Sequence, residues 1–184
     1  MRIATNRFIA FTLTAASVFA FGGAAIAASP MVSLGDDHAL ALRSDGSVLA
    51  WGSDQDGKLG SGRSLHSTTP TKVPGLAHAR TIASGSAHNL AVLEDGTMWA
   101  WGGNARGQLG DGTSADRSSP VQVRGIANAL MACGGYEHSI AVLQDGTVWS
   151  WGGNYVGQLG IGPGTGSSLP VRVAGLPGIA SVAC

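Results

Sequence analysis

An internal repeat of 50 residues constrains this chain more than any other feature of its sequence. Four residue types return three times at this interval: His38, His88 and His138; Trp51, Trp101 and Trp151; Gly60, Gly110 and Gly160; Pro70, Pro120 and Pro170. Self-similarity at a fixed period of roughly 20 to 50 residues is the signature of repeat architectures, in which each unit buries apolar surface against its neighbours. The sequence therefore predicts equivalent units over about 31–80, 81–130 and 131–180.

Each unit is predicted to contain four short strands. An apolar strand begins at the repeated His and ends before an Asp-Gly pair, which is typical of two-residue hairpin turns because type I′ turns need positive φ at both central residues. The next strand ends in the repeated Trp, a third begins at the repeated Pro, and a fourth opens the following unit at 81–85, 130–135 and 179–184. Four strands per unit match the blade of a β-propeller. The predicted fold class is all-β.

Residues 1–27 are predicted to form a cleaved export signal. Two arginines carry the only charges, residues 8–21 are almost continuously apolar, and 25–27 read Ala-Ile-Ala, a small-residue cleavage pattern. The apolar run is shorter than the roughly 20 residues that a membrane-spanning helix needs, so an uncleaved anchor is the less favoured alternative. We therefore expect a secreted or periplasmic protein, with a partial propeller in 28–184 and no membrane span after cleavage.

The composition argues against two classes of partner. Charged residues make up 12% of the chain and its formal net charge is +0, whereas charged residues form about 25% of an average globular chain. Proteins that bind nucleic acid or acidic membranes carry a basic patch or stripe, and this sequence has no such concentration of charge. We therefore expect neither nucleic acid nor a membrane surface as a partner.

The repeating unit reads A-x-G-x-x-H-S/N-x-A-V-L-x-D-G-T-V-W-x-W-G-x-N-x-x-G-Q-L-G-x-G, and it resembles the repeat of the regulator of chromosome condensation family. The match is best at Ala83–Gly112 and Cys133–Gly162. The first unit is looser, with Leu49 in place of Trp and Lys58 in place of Gln. The resemblance covers essentially all of 31–184 and implies a β-propeller of the seven-bladed type.

The visible units fall short of a closed ring. Three blades and the first strand of a fourth are fewer than the roughly 4 to 8 blades that propellers contain. We therefore expect an incomplete propeller, either because the sequence is a fragment of a longer chain or because copies associate to complete a ring. The open blade edges make self-association possible, since an unpaired strand edge invites further pairing.

Three recurring residue types could suggest chemistry, and a structural role explains each of them. Because each unit contributes one His at the same repeat position, the histidines are spread around the ring of units, whereas a zinc ion needs three or four ligands that converge on it. We therefore expect the histidines to hydrogen-bond to backbone groups between strands. Cys133 and Cys184 occupy equivalent points on neighbouring units, which we expect to lie too far apart for the roughly 5.5 Å Cα separation of a disulfide. The Asp of each Asp-Gly pair is a turn residue. Catalytic and phosphate-binding motifs are absent, so we predict no catalytic residue, metal or cofactor.

Candidate binding residues are those that differ between units. The pair before each repeated His and the loop after each Trp-Gly vary, and loops on a rigid scaffold are where binding usually occurs. Neutral drift at exposed loops is the alternative explanation of the same variation. The predicted partner-binding residues are Asp36, Asp37, Asp54, Asp56, Asn104, Arg106, Tyr136, Glu137 and Tyr155.

The resemblance also implies a class of function, because family members act through contacts with other proteins. The nuclear member exchanges guanine nucleotide on a small GTPase and touches chromatin, and a secreted bacterial relative inhibits β-lactamases by capping their active-site mouth. This sequence has no insertion between repeats that could act as an exchange wedge. We predict a non-enzymatic, extracytoplasmic module that binds another protein. The alternatives are a propeller hydrolase or lyase whose site lies in further blades, and a structural segment of a surface protein.

Overall fold

The computed structural model describes residues 28–63, 65–164, 166–176 and 178–184, and it contains three four-stranded antiparallel sheets. The first blade consists of β1 (Met31–Leu34), β2 (His38–Leu42), β3 (Val48–Gly52) and β4 (Ser67–Lys72). The second consists of β5 (Ala79–Ser84), β6 (His88–Leu93), β7 (Met98–Gly102) and β8 (Arg117–Gln122). The third consists of β9 (Ala129–Gly134), β10 (His138–Leu143), β11 (Val148–Gly153) and β12 (Gly166–Arg172).

Within each sheet, neighbouring strands are consecutive along the chain, so each blade is a meander. The repeats were therefore predicted correctly as four-stranded blades, and the all-β propeller class is confirmed. The predicted export signal lies outside the described residues. Within the part of the chain that the structure describes, no helix combines the length and apolarity needed to cross a membrane.

The turn between the second and third strands of each blade differs from the prediction. The Gly46 N–H donates to the Arg43 carbonyl over 3.0 Å and Gly46 has a φ of 74°, whereas Asp45 is not among the residues with positive φ. This is a longer hairpin connection, in which a turn is followed by one left-handed glycine. Asp45 stabilises it by accepting the Ser47 N–H over 2.9 Å. The Asp-Gly pair thus correctly indicated a turn, but the prediction of a two-residue type I′ turn was wrong.

The hydrophobic core lies between blades. One cluster joins Leu40 and Val48 of the first blade to Ile82 and Trp101 of the second. An equivalent cluster joins residues of the second blade to Trp151 of the third. Trp101 and Trp151 are fully buried, as expected for a bulky residue that packs one sheet against the next.

The segment 179–184, predicted as the first strand of a fourth blade, forms no strand. Its equivalents β5 and β9 pair with the following His strand of their own blades. A strand exists only with a partner in its ladder, and residues 179–184 have no ladder partner among the described residues. The Ile179 N–H instead donates to the Gly146 carbonyl over 3.1 Å.

Cys133 and Cys184 form a disulfide, with their Cα atoms 5.8 Å apart. The expectation that equivalent points on neighbouring units are too distant was wrong. Innermost strands converge where blades meet: the Ser84 N–H of the second blade donates to Ser33 Oγ of the first over 2.8 Å. Cys133 lies at the repeat position of Ser33, two units further along the chain, so this position is where neighbouring units come close together.

Candidate functional site

The variable loops meet at one end of the blades. In a four-stranded meander the first and third connections lie at the same end, and the second lies at the other end. The first and third connections touch: the Asp37, Ala87 and Glu137 carbonyls accept the N–H groups of Ser53, Gly103 and Gly153 over 2.9, 2.8 and 2.8 Å. We call this end the loop face; it comprises 35–37, 53–63, 85–87, 103–116, 135–137 and 154–164.

Beneath the loop face, a polar seam joins the first blade to the second. His38 Nε2 lies 2.8 Å from Asn89 Oδ1 of the second blade. The Asn89 Nδ2–H donates to the Lys58 carbonyl of the first blade over 2.8 Å, and Trp101 Nε1–H donates to the same carbonyl over 2.9 Å. All of these groups are buried, and their hydrogen bonds to one another take the place of hydrogen bonds to water.

The second seam, between the second and third blades, follows the same plan. His88 Nε2 lies 2.9 Å from Ser139 Oγ, whose hydrogen goes to the Gln108 carbonyl over 2.7 Å. Trp151 Nε1–H donates to that carbonyl over 2.8 Å. His38 and His88 therefore connect neighbouring blades, and they do so through a side chain of the next blade rather than through the predicted backbone partner.

These bonds determine the tautomer of each seam histidine. Asn89 and Ser139 give their hydrogens to carbonyls, so His38 and His88 must donate from Nε2. The Nδ1 atoms of both rings are buried and have no hydrogen-bond partner among the described residues. To become positively charged, either ring would have to bind a proton at this buried Nδ1 atom. Burial therefore lowers the pKa of His88 to about 3. The pKa values of His38 and His138 are also lowered by burial.

The seam leaves no space for a side chain beneath the histidine ring. A Cβ built at Gly35 would overlap the His38 ring, and one built at Gly85 would overlap the His88 ring. This explains why a glycine stands three residues before each repeated His. His38 and His88 are consequently structural groups with no open side towards solvent.

Two of the predicted binding residues hold their own loops. Asp54 is 5% exposed and Asn104 is fully buried. Asp54 Oδ1 accepts the Leu59 N–H over 2.8 Å, and Asn104 Oδ1 accepts the Leu109 N–H over 3.0 Å. Because these side chains point into the loops, we do not include them in the surface proposed below.

Asp37 is engaged in an ion pair that the sequence did not suggest. Lys58 Nζ lies 2.6 Å from Asp37 Oδ1, and the lysine side chain is only 5% exposed. The hydrogen bond from Lys58 lowers the pKa of Asp37. The other units have Gln108 and Gln158 at the repeat position of Lys58. Asp36 is exposed, and its Oδ2 accepts the Ser86 hydroxyl over 2.5 Å.

Arg106, Glu137 and Tyr155 come together on the loop face. The Arg106 guanidinium carbon lies 4.9 Å from the centroid of the Tyr155 ring, a cation–π contact. Arg106 Nε lies 3.6 Å from Glu137 Oε2. Tyr136 stands beside this group with 72% of its surface exposed, and Tyr155 is 54% exposed. The sequence signal that singled out these residues, variation within a strict repeat, also applied to the exposed Val156, which the prediction omitted.

Two neighbouring concavities lie on the loop face, and the smaller one adjoins this group through Glu137. One has a volume of about 190 Å³, and its lining includes Asp56, Ala105, Asp116, Tyr136 and Glu137. A larger and more open one of about 470 Å³ shares Asp56 and Asp116. Asp116 was not among the predicted residues, because it lies outside the short loop that follows Trp-Gly. Among the described residues, no group of three or more His, Cys, Asp or Glu side chains is placed to hold a metal ion.

Comparison with known proteins identifies the family. The model of the regulator of chromosome condensation (RCC1) repeat matches residues 45–92, 95–142 and 145–184. The chain belongs to the RCC1 repeat family. A second RCC1 repeat model matches residues 79–108 and 130–158.

Solved structures with RCC1 repeats share the fold. The crystal structure of Kap60 bound to yeast RCC1 (Prp20) matches with 30% identity and a TM-score of 0.72, over 83% of this chain and 39% of that chain. Prp20p from Saccharomyces cerevisiae matches with 28% identity and a TM-score of 0.71, over 84% and 40%. Human WBSCR16, at 23% identity and a TM-score of 0.73 over 84% and 42%, supports the fold alone. This chain thus spans about two fifths of the length of the proteins it matches.

Proposed function

We propose that this chain is an extracytoplasmic, non-enzymatic module that binds another protein through the loop face of its RCC1 repeats. The observation that carries the proposal is the group formed by Arg106, Glu137 and Tyr155 beside the exposed Tyr136. Tyrosine and arginine are among the residues that dominate binding energy at protein interfaces. Here they stand on closely packed blades, so little conformational entropy would be lost when a partner covers them.

The relatives support the class of activity and not a particular partner. One of them was crystallised bound to Kap60. Another is described with its binding properties to Gsp1p and histones. Since this chain spans only about two fifths of each, we carry over binding to proteins and propose no shared partner.

The non-enzymatic role rests on where the titratable groups are used. The seam histidines, the usual acid–base groups of enzymes, are buried between blades. Asp37 is paired with Lys58, and Asp54 is buried in its own loop. The remaining variable side chains, Tyr136 and Tyr155 among them, suit contact with a partner better than chemistry.

The extracytoplasmic location is supported by two independent features. Residues 1–27 have the pattern of an export signal, and Cys133 is paired with Cys184. Disulfides persist in secreted and periplasmic proteins and are rare in the cytosol. Intact-mass measurement of the protein from its native host, after alkylation without reduction, tests this. We expect a chain that begins at Ala28 and takes up no alkyl group; an unprocessed chain alkylated at both cysteines would contradict the proposal.

Binding through the loop face is tested by capture from host periplasm or culture medium, followed by titration of the captured partner with purified variants. The double variant Tyr136→Ala/Tyr155→Ala should weaken binding at least about 30-fold, because losing even one interface anchor costs about 2 kcal/mol or more. Gln144→Ala is the matched control, because Gln144 is exposed in the turn between β10 and β11 at the opposite end of the same blade. Undiminished binding by the tyrosine variant would refute the proposal, and so would equal weakening by the control.

A further inference from the structure

The lining of the concavity of about 190 Å³ includes one aromatic side chain and three carboxylates. Tyr136, which is 72% exposed, stands on the third blade. Asp56 comes from the first blade, Asp116 from the second and Glu137 from the third. No lysine or arginine is among the described residues that line it. The lining is thus assembled from three repeats and has no cation of its own.

Two of the three carboxylates of the concavity have no ion-pair partner among the described residues. None of the ion pairs among the described residues involves Asp56 or Asp116. Glu137 Oε2 lies 3.6 Å from Arg106 Nε, and the Arg106 guanidinium also lies over the Tyr155 ring. In the first blade, by contrast, Lys58 contacts Asp37 at 2.6 Å and matches its charge.

The volume suits one long side chain. At roughly 30 Å³ per water-sized group, 190 Å³ holds about six such groups, which is enough for an arginine side chain beyond Cβ and for the shorter lysine side chain. A cationic side chain with a long apolar stem would place its methylenes against Tyr136 and its charge near Asp56 and Asp116. A carboxylate or a purely apolar side chain would leave these acids repelled or desolvated.

We propose that this concavity receives a lysine or arginine side chain projecting from a loop of the partner protein. The inference rests on the proposed function, because it names the chemistry that the loop face recognises. The occupant follows from charge complementarity: Asp56 and Asp116, which form no ion pair among the described residues, lie beside an exposed aromatic ring and select a cation. Tyr136 is the aromatic contact, and Asp56 is the carboxylate whose charge can be removed with least disturbance.

The test uses tyrosine-labelled protein and two synthetic peptides, acetyl-Gly-Ser-Lys-Ser-Gly-amide and the same peptide with norleucine for lysine. The chain has only two tyrosines, so NMR resolves Tyr136 and Tyr155 separately. We expect the lysine peptide to shift the Tyr136 signals in a salt-sensitive, saturable way, and the norleucine peptide to shift them little. Asp56→Asn should weaken the lysine peptide about two- to fivefold, the effect of one exposed charge. Asparagine keeps the left-handed backbone at this position, where φ is 62°.

Glu94→Gln is the control, because it removes one acidic charge at the opposite end of the second blade. If Asp56→Asn and Glu94→Gln weakened binding of the lysine peptide equally, the effect would be one of net charge and the inference would be wrong. The inference would also be wrong if the lysine and norleucine peptides shifted the Tyr136 signals equally. The two proposals fail separately. If the natural partner is lost with Tyr136→Ala/Tyr155→Ala but binds Asp56→Asn normally, the cation site is wrong and the binding face stands; if both variants bind it normally, the binding face itself is wrong.

Discussion

The two seams between blades are built on one plan with different side chains. In the first seam, the Asn89 amide uses two atoms: its Oδ1 accepts from His38, and its Nδ2–H donates to the Lys58 carbonyl. In the second, the single oxygen of Ser139 accepts from one group and donates to the other. What the seam requires is an acceptor for the histidine and a donor for the carbonyl, so the residue type can vary while the chemistry stays the same.

The first and third blades differ more above the seam. Lys58 of the first blade is buried and paired with Asp37. In the third blade Gln158 takes that position and accepts the Val156 N–H over 3.1 Å, while Glu137 turns to Arg106 of the second blade. The same repeat position is therefore closed by an internal ion pair in one blade and left open to the surface in the other. The comparison shows how identical scaffolds present different surfaces.

Removing the seam tryptophans should have the largest effect. Trp101→Ala and Trp151→Ala each delete a fully buried ring and its bond to a loop carbonyl, and each should cost about 3 to 5 kcal/mol of unfolding free energy. Trp149→Ala, at a partly buried position, should cost clearly less. Urea denaturation measures all three. If Trp149→Ala cost as much as Trp151→Ala, the core would not be concentrated between the blades.

Mild acid should weaken the second seam. His88 is neutral when folded because burial lowers its pKa to about 3, whereas its ordinary value is 6.5. The unfolded chain therefore binds the proton first as pH falls below about 6.5, and stability is lost from there towards pH 3. Between pH 7 and pH 5 this group alone should cost about 2 kcal/mol. Urea titrations at the two pH values measure the loss.

The control for this prediction separates buried from exposed histidines. His88→Gln keeps a donor for Ser139 and should remove about 2 kcal/mol of the acid-dependent loss, although it lowers stability at neutral pH. His78→Gln, at an exposed position, is the comparison variant. An unaltered acid loss in His88→Gln would show that His88 does not titrate as described.

Exchanging polar groups between seams should have the smallest effect. Asn89→Ser copies the side chain that the second seam uses at this position, and we expect a cost of about 1 kcal/mol or less, mainly from lost volume. Asn89→Val removes both bonds and strands the buried His38 donor, so it should cost about 1 to 3 kcal/mol more. Thermal and urea unfolding give the two values. Equal costs would mean that the seam depends on packing and not on hydrogen bonds.

Much of the fold was predictable from the sequence alone. The period of 50 residues, the four strands and the tryptophan core follow from local pattern, because strand alternation and turn residues act over a few positions. Tyr136 and Tyr155 were identifiable as surface candidates because they vary within a strict repeat. The turn type was missed because an Asp-Gly pair is compatible with more than one hairpin connection.

What only the tertiary structure decided concerns contacts between repeats. The Cys133–Cys184 disulfide, the His88–Ser139 bond and the grouping of Arg106 with Glu137 and Tyr155 all join residues of different units. The sequence by itself determined which positions recur and which vary, because each unit must satisfy the same local geometry. It could not determine which variable side chains turn inward, as Asp54 and Asn104 do. That depends on how closely neighbouring sheets approach, which is a property of their packing and not of any single repeat.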